Sequence, residues 1–147
     1  MSIPEFDKNG ELPPGEHIAT LEQINNRFGT GNPRREALMS GLKTAIENFK
    51  LAGIKKIWID GSFVTSKFEP NDIDGCWRYD EKVNLNILDP VFLQKSRFPM
   101  KAKYGLEFFP AAFTEGESGL PFPRFFQLNR EGDPKGILVV NLGENKL

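Results

Sequence analysis

Asp72 and Asp74 are the residues whose types and spacing most clearly predict chemistry in this chain. Because side chains alternate between the two faces of a strand, both carboxylates would lie on one face and Ile73 on the other. Two anions so close together repel each other unless a cation lies between them, and hard oxygen ligands suit Mg²⁺ or Mn²⁺. The pair therefore predicts a metal site, although Pro70-Asn71-Asp72 alone is also typical of a turn that leads into a solvated strand.

A Gly61-Ser62 pair precedes the two aspartates and follows the apolar run Ile57-Trp58-Ile59 and Asp60. A small residue at the end of a strand lets backbone N–H groups and a hydroxyl approach a phosphate. Lys67 lies on the same predicted loop, where it either reaches a phosphate or remains solvated. A phosphate site beside metal-binding carboxylates is typical of phosphoryl or nucleotidyl transfer.

The order from Gly61-Ser62 to Asp72-Ile73-Asp74 resembles the motif of the DNA polymerase β-like nucleotidyltransferase superfamily, over residues 37–110. In size the chain is similar to the minimal bacterial members, several of which are antitoxins of toxin–antitoxin pairs. It resembles more closely, over most of its length, a group of short uncharacterised bacterial proteins with nucleotidyltransferase-like character. The segments that carry this second resemblance are Leu12-Pro13-Pro14-Gly15, Asp60-Gly61-Ser62-Phe63 and Asp72-Ile73-Asp74-Gly75-Cys76-Trp77.

These resemblances imply a metal-dependent nucleotidyltransferase that moves a nucleoside monophosphate from an NTP to a protein or RNA acceptor. In this interpretation Asp72 and Asp74 are catalytic ligands of Mg²⁺ or Mn²⁺, and Gly61 and Ser62 bind the nucleotide phosphates. Lys67 is a further candidate for phosphate binding. A partner toxin or an RNA end would supply the acceptor.

Glu107 is the one carboxylate of a predicted strand over 103–109. An acidic side chain between Leu106 and Phe108 is costly to bury without a partner. Superfamily members place a third carboxylate on a later strand, and the resemblance therefore assigns Glu107 as the third catalytic residue. Asp60 is the rival candidate, and a surface or ion-paired glutamate is the alternative.

Two departures from the superfamily pattern favour a different function. Asp60 stands where members usually have an apolar residue, and Phe63-Val64-Thr65 stands where a basic residue often follows Gly-Ser. A carboxylate beside the phosphates would repel them unless it also bound metal. The alternative is therefore a catalytically inactive nucleotidyltransferase fold that binds and neutralises a partner protein.

Composition predicts one domain over residues 1–147, with residues 1–16 as an extended N-terminal arm. A net charge of -1 argues against bulk binding of nucleic acid, which depends on many Lys and Arg side chains facing phosphates. The N-terminus has no basic segment followed by an apolar one, and no apolar run is long enough for a membrane span. We therefore expect a cytoplasmic protein with no membrane contact.

The predicted elements that position these residues form an α+β fold, a small mixed β-sheet with helices packed on one face. A capping box at Thr20 predicts a short helix, and Asn32-Pro33 predicts a second helix that ends at Gly53. Strands are predicted over 54–60, 73–78, 103–109 and 137–142, with a helix beginning at Pro90. The first two of these strands should be antiparallel, because their connection is short.

Two further groups have open interpretations. Four positive charges lie close together and form either a solvated face or a patch facing a phosphate or partner: Lys95, Arg97, Lys101 and Lys103. Arg34 and Arg35, near the start of the second predicted helix, are either solvated or bind a ligand. The run Phe122-Pro123-Arg124-Phe125-Phe126 predicts core packing, with an aromatic base-stacking pocket as the alternative.

Overall fold

The computed structural model describes residues 3–94 and 96–143 and contains a five-stranded mixed sheet with four α-helices. The strands are β1 Gly15–Ile18, β2 Lys56–Asp60, β3 Ile73–Trp77, β4 Leu106–Pro110 and β5 Gly136–Asn141. The helices are α1 Leu21–Phe28, α2 Pro33–Leu51, α3 Phe98–Tyr104 and α4 Phe122–Phe125. Short 3₁₀ turns cover Ser62–Val64 and Pro90–Leu93. The predicted α+β class is confirmed.

The sheet has the order β1-β5-β2-β3-β4. β2 is antiparallel to both β3 and β5, which confirms the predicted hairpin-like relation of β2 and β3. The outer pairs, β1 with β5 and β3 with β4, are parallel. The apolar strand β5 lies inside the sheet, as its sequence predicts.

Local capping signals define the first two helices. The Thr20 hydroxyl accepts a hydrogen bond from the backbone N–H of Gln23, and the Gln23 side chain accepts one from the backbone N–H of Thr20. The Asn32 side chain accepts a hydrogen bond from the backbone N–H of Arg35 at the start of α2. Each cap satisfies N–H groups that the first helical turn leaves unpaired. Both predicted helices are therefore confirmed.

The expectation that helices cover one face only is wrong. The main core joins α1, α2 and α3 to one face of the sheet, through side chains such as Phe49, Ile57 and Phe108. The other face carries apolar residues as well, including Trp58, and Phe126 together with the α4 aromatics packs against it. The central strands carry apolar side chains on both faces of the sheet, so other elements of the protein must cover each face.

The larger of the remaining differences from the sequence prediction concern three elements. Gly15 and Glu16 belong to β1, which pairs with β5 at the far end of the chain, so the last part of the predicted arm is a strand. The helix predicted at Pro90 is only a 3₁₀ turn. The strand predicted over 103–109 begins at Leu106, because α3 precedes it and ends at Gly105 with φ +76°, a left-handed conformation that favours glycine.

Within residues 3–94 and 96–143, no helix combines the length and the apolar character needed to span a bilayer.

Candidate metal and phosphate site

The turn after β2 brings the Gly61-Ser62 pair against Asp74. Gly61 has φ +92°, and a Cβ at this position would lie 2.9 Å from the backbone nitrogen of Asp74. Only glycine fits both the conformation and the space. The Ser62 hydroxyl accepts a hydrogen bond from the backbone N–H of Asn71 at 3.2 Å, and its own proton remains available for a ligand oxygen.

Strands β3 and β4 bring three carboxylates together. Asp72 immediately precedes β3, Asp74 lies within it, and the parallel register places Glu107 of β4 beside Asp74. One carboxylate oxygen from each of the three lies within 4.8 Å of the other two. The structure thus brings together the three residues that the sequence proposed as catalytic, and Glu107, rather than its rival Asp60, completes the group.

Two of the three carboxylates, those of Asp74 and Glu107, have a raised pKa. Burial, together with the charges of Asp72, Asp60 and Glu107, raises the pKa of Asp74 to about 8. Burial and the charge of Asp72 also raise the pKa of Glu107, although Arg97 opposes this shift. The cations beside the group come from α3 and are solvated. Lys101 lies 3.2 Å from Asp72 and Arg97 lies 3.6 Å from Glu107, with side chains 50% and 69% exposed.

The three carboxylates fit a hard divalent cation. All the donors are oxygens, they converge within one coordination sphere, and their mutual repulsion is the kind that a bound cation relieves. Mg²⁺ and Mn²⁺ match this donor set, whereas the absence of a histidine or cysteine from the group argues against a zinc site. Asp72, Asp74 and Glu107 are therefore the residues that could hold a metal.

A cavity of about 560 Å³, the basic pocket, opens over the two aspartates. Besides Ser62, Asp72 and Asp74, it is lined by four basic side chains: Arg34, Lys67, Lys101 and Arg130. These cations come from the start of α2, the loop after β2, helix α3 and the loop before β5. A polyanion such as a triphosphate would find here both the metal ligands and a surplus of positive charge.

The sequence profile of a family of unknown function, DUF6932, matches residues 4–141. The chain belongs to this family. Searches of curated proteins and of solved structures returned no significant match.

In this DUF6932 member, Asp60 has a partner of its own. Its carboxylate, 5% exposed, forms an ion pair with Lys135, whose side chain is 14% exposed. Burial raises the pKa of Asp60, and the ammonium group of Lys135 opposes that shift. The repulsion of phosphates expected from Asp60 is therefore reduced by a fixed counter-charge that sequence inspection did not identify.

Arg34 and Arg35 have separate roles in this family member. Arg35 is 7% exposed and donates hydrogen bonds to the backbone carbonyls of Phe28, Phe63, Thr65 and Lys67. Arg35 is therefore neither solvated nor placed to bind a ligand, the two alternatives that the sequence left open, and it fixes the loop carrying Lys67. Arg34 donates to the carbonyls of Pro70 and Asn71 and lines the basic pocket.

The predicted basic patch is divided by the structure. Lys101 lines the basic pocket, and Arg97 contacts Glu107. Lys103 instead forms an ion pair with Asp89, with an N–O distance of 2.6 Å, and does not contact the three carboxylates. Lys95 lies outside the described residues. Sequence inspection missed Arg130 because no local pattern marks it, and only the return of the chain into β5 brings it to the pocket.

Proposed function

We propose that this protein is a metal-dependent nucleotidyltransferase that transfers a nucleoside monophosphate from an NTP to a protein or RNA acceptor. The observation that carries the proposal is the position of the three converging carboxylates at the edge of the basic pocket, next to the Gly61-Ser62 turn. Under this proposal the sheet is a nucleotidyltransferase-like fold and the protein acts in the cytoplasm, where NTPs are available.

The basic pocket supplies the groups that bind the polyphosphate. Lys67, Lys101 and Arg130 neutralise its negative charge, and the Ser62 hydroxyl donates a hydrogen bond to a phosphate oxygen. Arg34 adds a fourth positive charge and supports the loop before Asp72 through the Pro70 and Asn71 carbonyls. These cations provide what the missing basic residue after Gly61-Ser62 would supply in other superfamily members.

Asp72 and Asp74 would hold Mg²⁺, which when bound offsets the charge that develops on the phosphates during transfer. Glu107 lies beside these two ligands and takes the proton of the acceptor hydroxyl on its carboxylate. The acceptor oxygen bonds to the α-phosphorus, the bond from that phosphorus to the bridging oxygen breaks, and pyrophosphate leaves.

The proposal is tested by calorimetric titration of ATP, GTP, CTP and UTP with Mg²⁺ into the wild-type protein and the Asp72→Asn/Asp74→Asn variant. We expect at least one nucleotide to bind the wild type and this binding to be lost in the variant. Glu47→Gln, on the exposed face of α2, is the matched control and should bind as the wild type does. Nucleotide binding, or transfer of labelled nucleotide, that is unchanged in the double variant would disprove the proposal.

The second candidate function is neutralisation of a partner protein by a catalytically inactive fold, for instance a toxin by its antitoxin. The observation in its favour is the exposure of large apolar side chains, including Phe68, Phe98 and Phe113. A binding module of this kind would retain its activity in the Asp72→Asn/Asp74→Asn variant, whereas the enzyme would lose its transferase activity.

A further inference from the structure

A second cavity, of about 410 Å³, adjoins the basic pocket and shares Ser62, Asp74 and Arg130 with it. We call it the aromatic pocket, because Phe125, Phe126 and Leu128 form its apolar wall. A volume of a few hundred Å³ with an apolar wall and a few polar groups is typical of small-molecule sites.

The aromatic pocket is formed by α4, the residues that follow it and a hydrogen-bonded loop. Phe126 is buried and packs with the α4 aromatics against the sheet, so core packing explains most of the phenylalanine-rich segment. Phe125 is only half-buried and faces the cavity as well as the core. The loop after Leu128 is held by the Asn129 side chain, which accepts hydrogen bonds from the backbone N–H groups of Glu131 and Asp133. The apolar wall is therefore formed by side chains that already pack against the sheet.

The two cavities have opposite charge. The basic pocket has four cationic side chains and two carboxylates in its lining. The aromatic pocket has only Lys135 and Arg130 as cations, against the carboxylates of Glu11, Asp60, Asp74 and Glu131. Lys135 is already paired with Asp60. A polyphosphate therefore favours the basic pocket, and a neutral, planar group that donates hydrogen bonds favours the aromatic pocket.

We propose that the aromatic pocket binds the nucleoside of the substrate, with the base against Phe125 and an exocyclic amino group donating to Glu11. This proposal rests on the proposed function, because it assigns to each cavity one part of an NTP. The shared residues Ser62, Asp74 and Arg130 mark the place where the nucleoside joins its phosphates.

Glu11 is the residue that would select the base. Its carboxylate accepts one long hydrogen bond from the Asn129 side-chain amide, at 3.4 Å, which leaves lone pairs for another donor. Adenine, cytosine and guanine carry an exocyclic amino group, whereas uracil carries oxygens at the corresponding positions. Glu11 thus favours the amino-bearing bases over uracil.

The test compares three ligands, each with Mg²⁺: inorganic tripolyphosphate, CTP and UTP. Calorimetric titration of the wild type should show CTP binding at least tenfold more tightly than tripolyphosphate, and more tightly than UTP. Phe125→Ala should weaken CTP binding about tenfold, since base–aromatic contacts are worth about 1–3 kcal/mol, and leave tripolyphosphate binding unchanged. Glu11→Gln should reduce the preference for CTP over UTP about tenfold, because the acceptor of the amino group loses its charge and the Gln amide N–H can donate to a uracil oxygen.

Two further variants separate ligand contacts from effects on folding. Phe125→Leu keeps an apolar side chain in the wall and should retain tripolyphosphate binding while weakening CTP binding. Phe113→Ala removes a phenylalanine that is 63% exposed and lines neither cavity, and it should bind all three ligands as the wild type does.

The outcomes distinguish this proposal from the proposed function. Equal affinity of the wild type for CTP and tripolyphosphate would overturn the nucleoside assignment and leave the metal and phosphate site intact. A Phe125→Ala variant that weakens both ligands equally would also overturn it. Equal binding of CTP and UTP would overturn the role of Glu11. Failure of all three ligands, and of ATP and GTP as well, to bind would overturn the proposed function.

Discussion

Asp60 and Asp74 face each other across β2 and β3, and the protein surrounds these two carboxylates differently. Asp60 is paired with Lys135 in a buried ion pair. Asp74 has Asp72 and Glu107 beside it. The cations that contact these two neighbours, Lys101 of α3 and Arg97 just before it, have exposed side chains. Asp60 is buried together with its own counter-charge, whereas the carboxylates around Asp74 repel one another, and either a proton or a bound cation relieves that repulsion. The comparison separates a structural acid from a candidate metal ligand.

The largest expected effect comes from removing the fixed counter-charge. Lys135→Met should lower the free energy of unfolding by about 3–5 kcal/mol, because it leaves Asp60 buried and unpaired. The loss should be smaller at low pH, where Asp60 becomes protonated. Urea denaturation at several pH values measures both effects.

The double variant Asp60→Asn/Lys135→Met is the control for that experiment. Replacing both members of a buried pair by neutral groups removes the unpaired charge, and most of the lost stability should return. If Lys135→Met alone were as stable as the wild type, Asp60 would not depend on its partner and the contrast with Asp74 would fail.

A smaller effect of opposite sign is expected at Asp74. Asp74→Asn should increase the free energy of unfolding of the metal-free protein, by on the order of 1 kcal/mol, because it removes a repelling charge from a functional site. Thermal denaturation in EDTA measures the change, with Glu47→Gln as an exposed control. An Asp74→Asn variant less stable than the wild type would show that Asp74, like Asp60, is a structural carboxylate.

The same group predicts how stability depends on pH. The folded-state pKa of Asp74, about 8, lies above the ordinary value of 3.8 that the unfolded chain retains. Between these values the folded protein binds more protons than the unfolded chain, so the free energy of unfolding falls as pH rises from about 4 to about 8. This fall in the free energy of unfolding should be absent from Asp74→Asn. A fall of equal size in the wild type and the variant would show that Asp74 does not cause it.

Local signals made much of the fold predictable. The caps at Thr20 and Asn32 define α1 and α2, and the short connection between β2 and β3 fixes their antiparallel pairing. β1 was not predicted, because among the described residues it pairs with β5, and no local pattern reports so distant a pairing. The cover of the second sheet face was missed because the phenylalanine-rich segment was not assigned to a face.

The candidate site was predictable in its acidic half. Asp72 and Asp74 lie on either side of Ile73 at the start of β3, and Glu107 is the carboxylate of the apolar strand β4. Each of the three could therefore be identified from its own segment. The basic half was predictable only in part. Lys67, Lys101 and Arg34 were candidates from the sequence, whereas Arg130 and Lys135 lie on an irregular loop that only the tertiary fold brings to the site. Charges contributed by distant loops leave no periodic signal in a sequence.

The smallest expected effect on stability comes from the solvated cations of α3. Lys101 is half exposed, so Lys101→Ala should change the free energy of unfolding by less than about 1 kcal/mol, unlike the change at Lys135.

Lys101→Ala should affect the binding of Mg²⁺ and of the magnesium nucleotide in opposite directions. Mg²⁺ alone should bind more tightly, because Lys101 no longer competes for Asp72, whereas the magnesium nucleotide should bind less tightly, because the basic pocket loses a positive charge. Titrations of Mg²⁺ with and without CTP measure both, with Lys43→Ala on the exposed face of α2 as the control. If Lys101→Ala weakened Mg²⁺ binding, Lys101 would be a supporting part of the metal site, and the distinction between fixed and displaceable counter-charges would not hold.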